Sequence, residues 1–445
     1  MMQATARFVL AISTLSAATV AGEPLTLRDA MAQARLSARE VTAATARKEA
    51  AMSRADQARG FRLPSVTLSE SWVRTDSPAE AFALELNQER FSFADFVTSD
   101  PNRPDPLDTA VTRLEASMPL FTGGELSGRI EQAELAAGSA SEGEIWSGHQ
   151  AAAQAAEAFI MLAQAGEYVS LLGHARETVK AHVELARAYA EQGMLVRSEL
   201  LRAEVELARV DDLLADARGK AHIASANLAF RLGLDQGTTF DIAPLPAPGA
   251  LDEALEGWLQ TAAERKDLAA ARQMLRAGEI EERVMKAGYL PKVGVAARAD
   301  WVDDQLFGTH GDSTSVFAFA SINLFAGGST RASAAAARWE ARAGAEDVRR
   351  FEEGIALETR NAFEEATAAR ARHATAERAV AAAAEAERIT TERFRTGVVK
   401  TIDVLDAANA RRESETRELV ARAEASAALV RLALKSGRAP ESVLP

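Results

Sequence analysis

The chain has 445 residues, a formal net charge of -13, no cysteine and 6% aromatic residues. The missing thiols exclude disulfides, thiolate metal sites and a lipid anchor on an N-terminal Cys, and the acidic surplus speaks against nucleic acid as a partner. Abundant alanine, with Gly and Pro gathered in a few places, suits long helices more than a compact mixed domain.

Residues 1–22 read as an export signal: Arg7 supplies the positive n-region, Phe8 to Val20 is apolar, and Ala21 or Gly22 offers a small residue for cleavage. Beyond it no apolar run reaches the about 18 residues of a membrane-spanning helix. An exported protein without such a helix is either soluble in the periplasm or an outer-membrane barrel. Leu25-Thr-Leu-Arg-Asp-Ala-Met31 opens a helix with Thr26 as N-cap and Asp29 at the capping-box position, and helical pattern runs to about Gly60. Leu63-Pro-Ser-Val66 ends it, because Pro disfavours a helical conformation in the residue before it. A strand over about 65–74 follows, with Val66, Leu68 and Trp72 sharing a face with Glu70.

Residues 76–109 carry Pro78, Pro101, Pro104 and Pro106 and read as a long loop with some local order. A second strand, about 110–121, sets Leu114, Ala116, Met118 and Leu120 against Arg113, Glu115 and Ser117. About 9–11 tilted residues cross a bilayer as a strand, so the length fits. Gly123-Gly124 turns the chain into a helical pattern over about 124–192. At 1.5 Å per residue that is about 100 Å, which no single compact domain contains. After Gly193 the chain returns over about 195–234 with Leu and Ala at strict helical spacing, a coiled-coil seam of small residues.

Residues 235–249 form a Pro-rich linker, and 250–445 repeat the order of 23–234. A helix runs from Leu251 to Gly288, strands follow at about 293–302 and 315–325, then a long helix at about 329–396 and a return helix at about 399–436. The strand at 315–325 is expected to show Val316, Ala318, Ala320, Ile322 and Leu324 on one face. Gly193 and Gly397 are 204 residues apart, as are Phe121-Thr-Gly-Gly124 and Phe325-Ala-Gly-Gly328, so the chain is internally duplicated. The two Leu-Pro pairs are 227 apart, which puts the surplus length of the first copy in its Phe/Pro-rich loop. The second return helix carries Arg411, Ser414 and Glu418 where the first has Leu207, Val210 and Leu214, so the copies cannot pack alike.

Two hairpins give four strands, too few to close a barrel, and a lone sheet leaves unpaired edges in lipid. Several chains must therefore pool strands in one barrel, with the long helices projecting as a shared tube. At this point the residues match a family. Leu25-Thr-Leu-Arg-Asp-Ala, the Leu-Pro-x-Val openings in both halves, Phe-x-Gly-Gly at 121 and 325, the run Leu86-Asn-Gln-Glu-Arg-Phe91, and Gly397 followed by Asp403 and Asp406 resemble the TolC-like outer-membrane efflux proteins over essentially the whole mature length. The resemblance implies a mainly α, duplicated fold with four strands per chain in a trimeric twelve-stranded β-barrel, continuing into a periplasmic α-helical barrel. It also implies docking to a periplasmic adaptor and an inner-membrane pump, and no cofactor.

In that family the helix after the second-half Gly carries acids that ring the periplasmic entrance, and Asp403 and Asp406 fall on those positions. Six converging carboxylates would favour cations at that constriction. Glu199 holds the equivalent position in the first half. Phe394 stands where TolC has Tyr and Val399 where it has Arg, so the polar bridges of the closed state are missing here. Gly193, Met194, Leu195, Gly397, Val398 and Val399 are expected at the tube's far tips as adaptor contacts. His149, His174, His182, His222, His310 and His373 show no metal-binding spacing, and no phosphate loop or nucleophile elbow occurs, so an enzyme is not expected. The expected function is the exit duct of small-molecule efflux, with protein secretion or metal-ion efflux through the same duct as alternatives, and a pore-less periplasmic scaffold as the rival from another class.

Overall fold

The structure is a computed structural model describing residues 24–443 apart from Ser99, Leu195 and Gly397. The expected export signal at 1–22 lies outside the described residues. The first half runs α1 (Leu27–Ser37), α2 (Arg39–Gly60), β1 (Ser65–Thr75), α3 (Pro78–Asn87), α4 (Asp95–Thr98), β2 (Leu107–Phe121), α5 (Glu125–Glu191) and α6 (Arg197–Arg231). The second half runs α7 (Leu255–Ala262), α8 (Lys266–Lys286), β3 (Lys292–Asp303), β4 (Gly311–Ser321), α9 (Ser329–Arg395) and α10 (Thr401–Lys435). Helices α5 and α9 each have 67 residues, which at 1.5 Å per residue makes them about 100 Å long.

Thr26 caps α1 as its sequence suggests: Asp29 N donates to Thr26 Oγ1 at 3.2 Å, and Thr26 N donates to Asp29 Oδ2 at 3.3 Å. The helix does not continue unbroken to Gly60. Ala38 turns extended, with ψ 135, and starts α2 afresh. The second half breaks in the same way between α7 and α8, at Arg265, with ψ 140. These two positions are 227 residues apart, the offset of the Leu-Pro pairs, so the break is part of the duplicated unit. Neither Ala nor Arg is a helix breaker, and the cause is tertiary. Each return helix ends in a left-handed glycine, Gly233 (φ 71) or Gly437 (φ 79), which docks on the break. A Cβ on Gly233 would lie 2.6 Å from the Ser37 carbonyl oxygen, and one on Gly437 would lie 2.7 Å from Arg265 Cγ. Ser37 Oγ also donates to Leu232 O at 2.7 Å.

Among the described residues one sheet forms, in the order β1-β2-β3-β4 and antiparallel throughout. Pairing of β2 with β3 joins the two halves and leaves one ladder of β1 and one of β4 open. Strand β4 begins and ends four residues earlier than the apolar run suggests. Its register with β3 is the reason: Lys292, the first residue of β3, faces Ser321, and nothing remains to pair with Ile322 and Leu324. The loop at 76–109 holds more order than expected, since α3 lies in it.

The core sits where the middle of α5 crosses α1, α6 and α10. Ala151, Ala152, Ala155, Ala156 and Phe159 are buried there with Met31, Leu228 and Val430, and the small side chains allow close helix approach. The segment 235–249 is docked rather than loose: Leu25 N donates to Asp241 O at 2.8 Å, and Ala243 N donates to Leu25 O at 2.9 Å. No helix among the described residues is long and apolar enough to cross a membrane.

Arg265, 4% exposed, is the tie of the second half. Its Nε and Nη2 donate to Asp267 at 3.0 and 2.7 Å, and its Nη1 donates to Glu358 Oε2 at 3.2 Å and Lys435 O at 3.1 Å. Its guanidinium also lies 4.7 Å from the Trp146 ring centroid on α5. Burial pushes the Glu358 carboxyl up, but Lys435 and Arg265 together hold it below its usual range. Removing one partner of a buried pair strands the other, at a cost of about 3–5 kcal/mol. Arg265→Ala is therefore expected to destabilise the helical part by about that amount, read as a lowered denaturant midpoint by far-ultraviolet circular dichroism. A midpoint equal to that of the unmodified protein would show the tie to be dispensable.

Candidate functional site

Alternation along the strands gives the sheet two unlike faces. One carries Val66, Leu68 and Trp72 of β1, Leu114 and Met118 of β2, Val293 and Val295 of β3, and Val316 and Ala318 of β4. Glu70 interrupts this face, and its carboxylate accepts from Thr112 Oγ1 and from Phe307 N at 3.1 Å. The opposite face carries Ser65, Thr67, Ser69 and Ser71 with Arg113, Arg298, Asp300 and Ser313. Across β2 and β3, Arg113 donates to Asp300 through Nε at 2.7 Å and Nη2 at 3.2 Å. Arg298 lies 3.4 Å from the same carboxylate and 4.8 Å from the Phe317 ring centroid. In hydrocarbon such a face is strongly disfavoured, since a single Arg at the bilayer midplane costs about 2–4 kcal/mol. One face is therefore built for lipid and the other for water.

At the far end of the coils the two turns follow the duplicated plan. Gly193 (φ 69) ends α5, with Gly193 N donating to Ala190 O at 3.1 Å and Met194 N to Tyr189 O at 2.9 Å. Met194 and Val398 are 63% and 71% exposed, while Val399 and Phe394 are half-buried. Leu195 and Gly397 lie outside the described residues. Glu199 and Asp403 both occupy the third position of their helices, α6 and α10. Asp403 Oδ2 accepts from Lys400 N at 2.8 Å and so closes the first turn of α10. Asp403 and Asp406 are exposed, and Glu199 is half-buried. Acids in a first helical turn also meet the positive end of the helix dipole. Among the described residues, Gly193, Met194, Glu199, Phe394, Val398, Val399, Asp403 and Asp406 thus flank the two helix–helix turns.

Sequence reasoning did not find the polar seam between the halves. From α10, Arg412 reaches Glu206 of α6 at 3.4 Å, and Arg422 pairs with Glu167 of α5 and donates to Leu245 O at 3.3 Å. Arg411 pairs with Glu387 of α9 at 2.9 Å and Glu415 at 2.8 Å, and His373 Nε2 lies 3.1 Å from Glu418. Arg411, Arg412 and Arg422 line a cleft of about 550 Å³ with Glu167, Glu387 and His174. The signal available was the charge at Arg411 and Glu418, where the first copy is apolar. The partners on α5 and α6 could not be named without the fold. His174 and His182 form no metal cluster, and none is found among the described residues.

The family model for outer membrane efflux proteins matches residues 30–234 and 258–438. No curated protein sequence matches the chain. Among solved structures, the outer membrane protein VceC from Vibrio cholerae is 19% identical, with a TM-score of 0.74 over 93% of this chain and 96% of that one. A membrane protein from Pseudomonas aeruginosa is 18% identical, with a TM-score of 0.78 over 92% of each chain. The open state of the MtrE outer membrane channel from Neisseria gonorrhoeae is 17% identical, with a TM-score of 0.72 over 93% of this chain and 89% of that one.

His182, on α5 near Glu387, has a pKa held below the ordinary 6.5 by burial, with Glu387 opposing the shift. A depressed imidazole pKa means that folding favours the neutral ring. The stability it contributes is full above about pH 6.5 and is lost as pH falls through the folded value. His182→Gln is expected to lose less melting temperature than the unmodified protein between about pH 7.5 and about pH 5. Equal losses would exclude His182 as a source of acid sensitivity.

Proposed function

This chain belongs to the outer membrane efflux protein family, and from that premise we propose that three copies form the passive exit duct of a tripartite export system. The family is one of channels, so the chain is not an enzyme. The observation that carries the proposal is the sheet with one lipid-suited face, one watery face and two open ladders. Three such sheets, each offering β4 to the β1 of a neighbour, give a closed twelve-stranded barrel in the outer membrane, and closure satisfies every edge. The coils then form a periplasmic tube in series with it.

The tube's far end carries both remaining roles. Asp403, Asp406, Glu199 and Phe394 form the entrance, where threefold repetition of carboxylates raises the local cation concentration. Gly193, Met194, Leu195, Gly397, Val398 and Val399 form the tips that meet a periplasmic adaptor, which links the duct to an inner-membrane pump. Exposed Met194 and Val398 supply apolar contact area at the end of an otherwise charged coil. Small molecules, drugs among them, are the cargo class, delivered by the pump rather than selected by the duct.

Two measurements test this. In planar bilayers, Asp403→Asn with Asp406→Asn is expected to reduce cation preference at least about twofold by reversal potential; unchanged selectivity would remove the entrance role from these acids. A photo-crosslinking residue replacing Met194 or Val398 is expected to capture an adaptor subunit in cells. Capture at a mid-coil control such as Ala181 but at neither tip would place the docking surface elsewhere.

A further inference from the structure

The segment between β1 and β2 does not stand off the rim of the sheet into water. Helix α3 and the turn after it lie on the watery face. Thr109 and Gly311 mark that face at the outer ends of β2 and β4, being in register with Val73 and Val302. Gln88, 1% exposed, donates from Nε2 to Thr109 Oγ1 at 2.8 Å and to Asp108 O at 3.0 Å. A Cβ on Gly311 would run into the Asn87 carbonyl oxygen, so the backbone of the segment rests directly on β4. Between these contacts it spans from β2 to β4 across β3. Glu89 then takes a left-handed φ of 56, which turns Arg90 back to the end of β3. There Arg90 Nη2 donates to Asp303 Oδ1 and to Asp304 Oδ1, both at 2.8 Å.

We propose that residues 78–91 form a fixed strap across the outer mouth of the channel and set the largest solute that leaves it, with Gln88 and Arg90 as the residues that hold it in place. The inference rests on the duct reading, because only in a closed barrel is the watery face a lumen. A loop with nothing to do there would remain hydrated; this one instead buries a Gln amide and ties an Arg to two carboxylates. Threefold repetition brings three straps round one axis, and the free diameter between them limits what passes.

The chain has no cysteine, so Ser69→Cys provides a single thiol on the watery face, about 20 Å inward of Thr75 at 3.3 Å per residue. A small sulfonated maleimide added to intact cells is expected to label it, whereas a maleimide bearing a long polyethylene glycol chain is not. Adding Gln88→Ala and Arg90→Ala is expected to raise labelling by the large reagent about tenfold, with trimer content on native gels unchanged. Replacing 78–103 by a short Gly-Ser linker is expected to do the same should the double variant fail to assemble. If the large reagent labels Ser69→Cys equally well with the strap intact, the strap does not limit passage, and the duct stands. If even the small reagent fails at Ser69→Cys in every background while labelling Asn102→Cys on the exposed loop, the watery face is no lumen, and the duct reading falls with the strap.

Discussion

Everything in this chain depends on backbone hydrogen bonds that one copy cannot complete. Strands β1 and β4 each present an open ladder beside apolar side chains such as Val66, Leu68 and Val316. Water would satisfy those groups but not the side chains, and lipid would satisfy the side chains but not those groups. Only closure of the sheet with further copies answers both demands. The long helices inherit their arrangement from this. Each leaves the sheet through a paired left-handed glycine, Gly123-Gly124 or Gly327-Gly328, with φ values from 62 to 89, so the helix direction is set by the strand before it. At the first exit a Cβ on Gly123 would lie 2.7 Å from Ala287 O, which leaves no room for any other residue.

The duplication shows which interactions the fold needs and which may vary. Both halves keep a glycine at the end of the return helix, docked on a break in the first helix. What fills the contact differs. Around Ala38 the first half uses packing, with Ser37 Oγ donating to Leu232 O. Around Arg265 the second half uses a buried guanidinium shared by Asp267, Glu358 and Lys435. A geometric requirement, the glycine against the break, is common to the two, while the chemistry that meets it is free to change.

Much of this was legible in the sequence. Glycines and the Leu-Pro pairs located the junctions of α2 with β1, β2 with α5, α8 with β3 and β4 with α9, because a positive φ and the residue before Pro impose local geometry. The four strands and the long coils followed from period and length. What was not legible depends on tertiary contact. Nothing in Ala38 or Arg265 announces a helix break that a distant glycine imposes. The end of β4 is set by where β3 begins, not by the apolar run through Leu324. The Pro-rich composition of 76–109 spoke for a loop, but the buried amide of Gln88, just after α3, depends on the Thr109 hydroxyl of β2.

The seams between helices divide the molecule into parts held in different ways. The joint of α5 and α6 is apolar where Leu172, Leu214 and Ala217 bury one another with Tyr168 and Val169. Parting it would expose hydrocarbon to water, at about 25 cal/mol per Å². Between Arg411 and Arg422, α10 instead faces its neighbours with charge, through Glu387, Glu206 and Glu167. Arg412 and Glu206 are only 13% and 15% exposed, so parting that pair strands charge in a poorly hydrated seam. Leu419 and Ala421 lie buried in the same stretch, so this seam is mixed rather than purely polar. The helix bearing Asp403 and Asp406 is thus joined to its neighbours largely through charge over this stretch, where α5 and α6 are joined through hydrocarbon. Below the seam, buried Val404 and Leu405 keep the first turns of α10 packed as a unit, so any movement of Asp403 and Asp406 is carried by the helix as a whole rather than by fraying of its end.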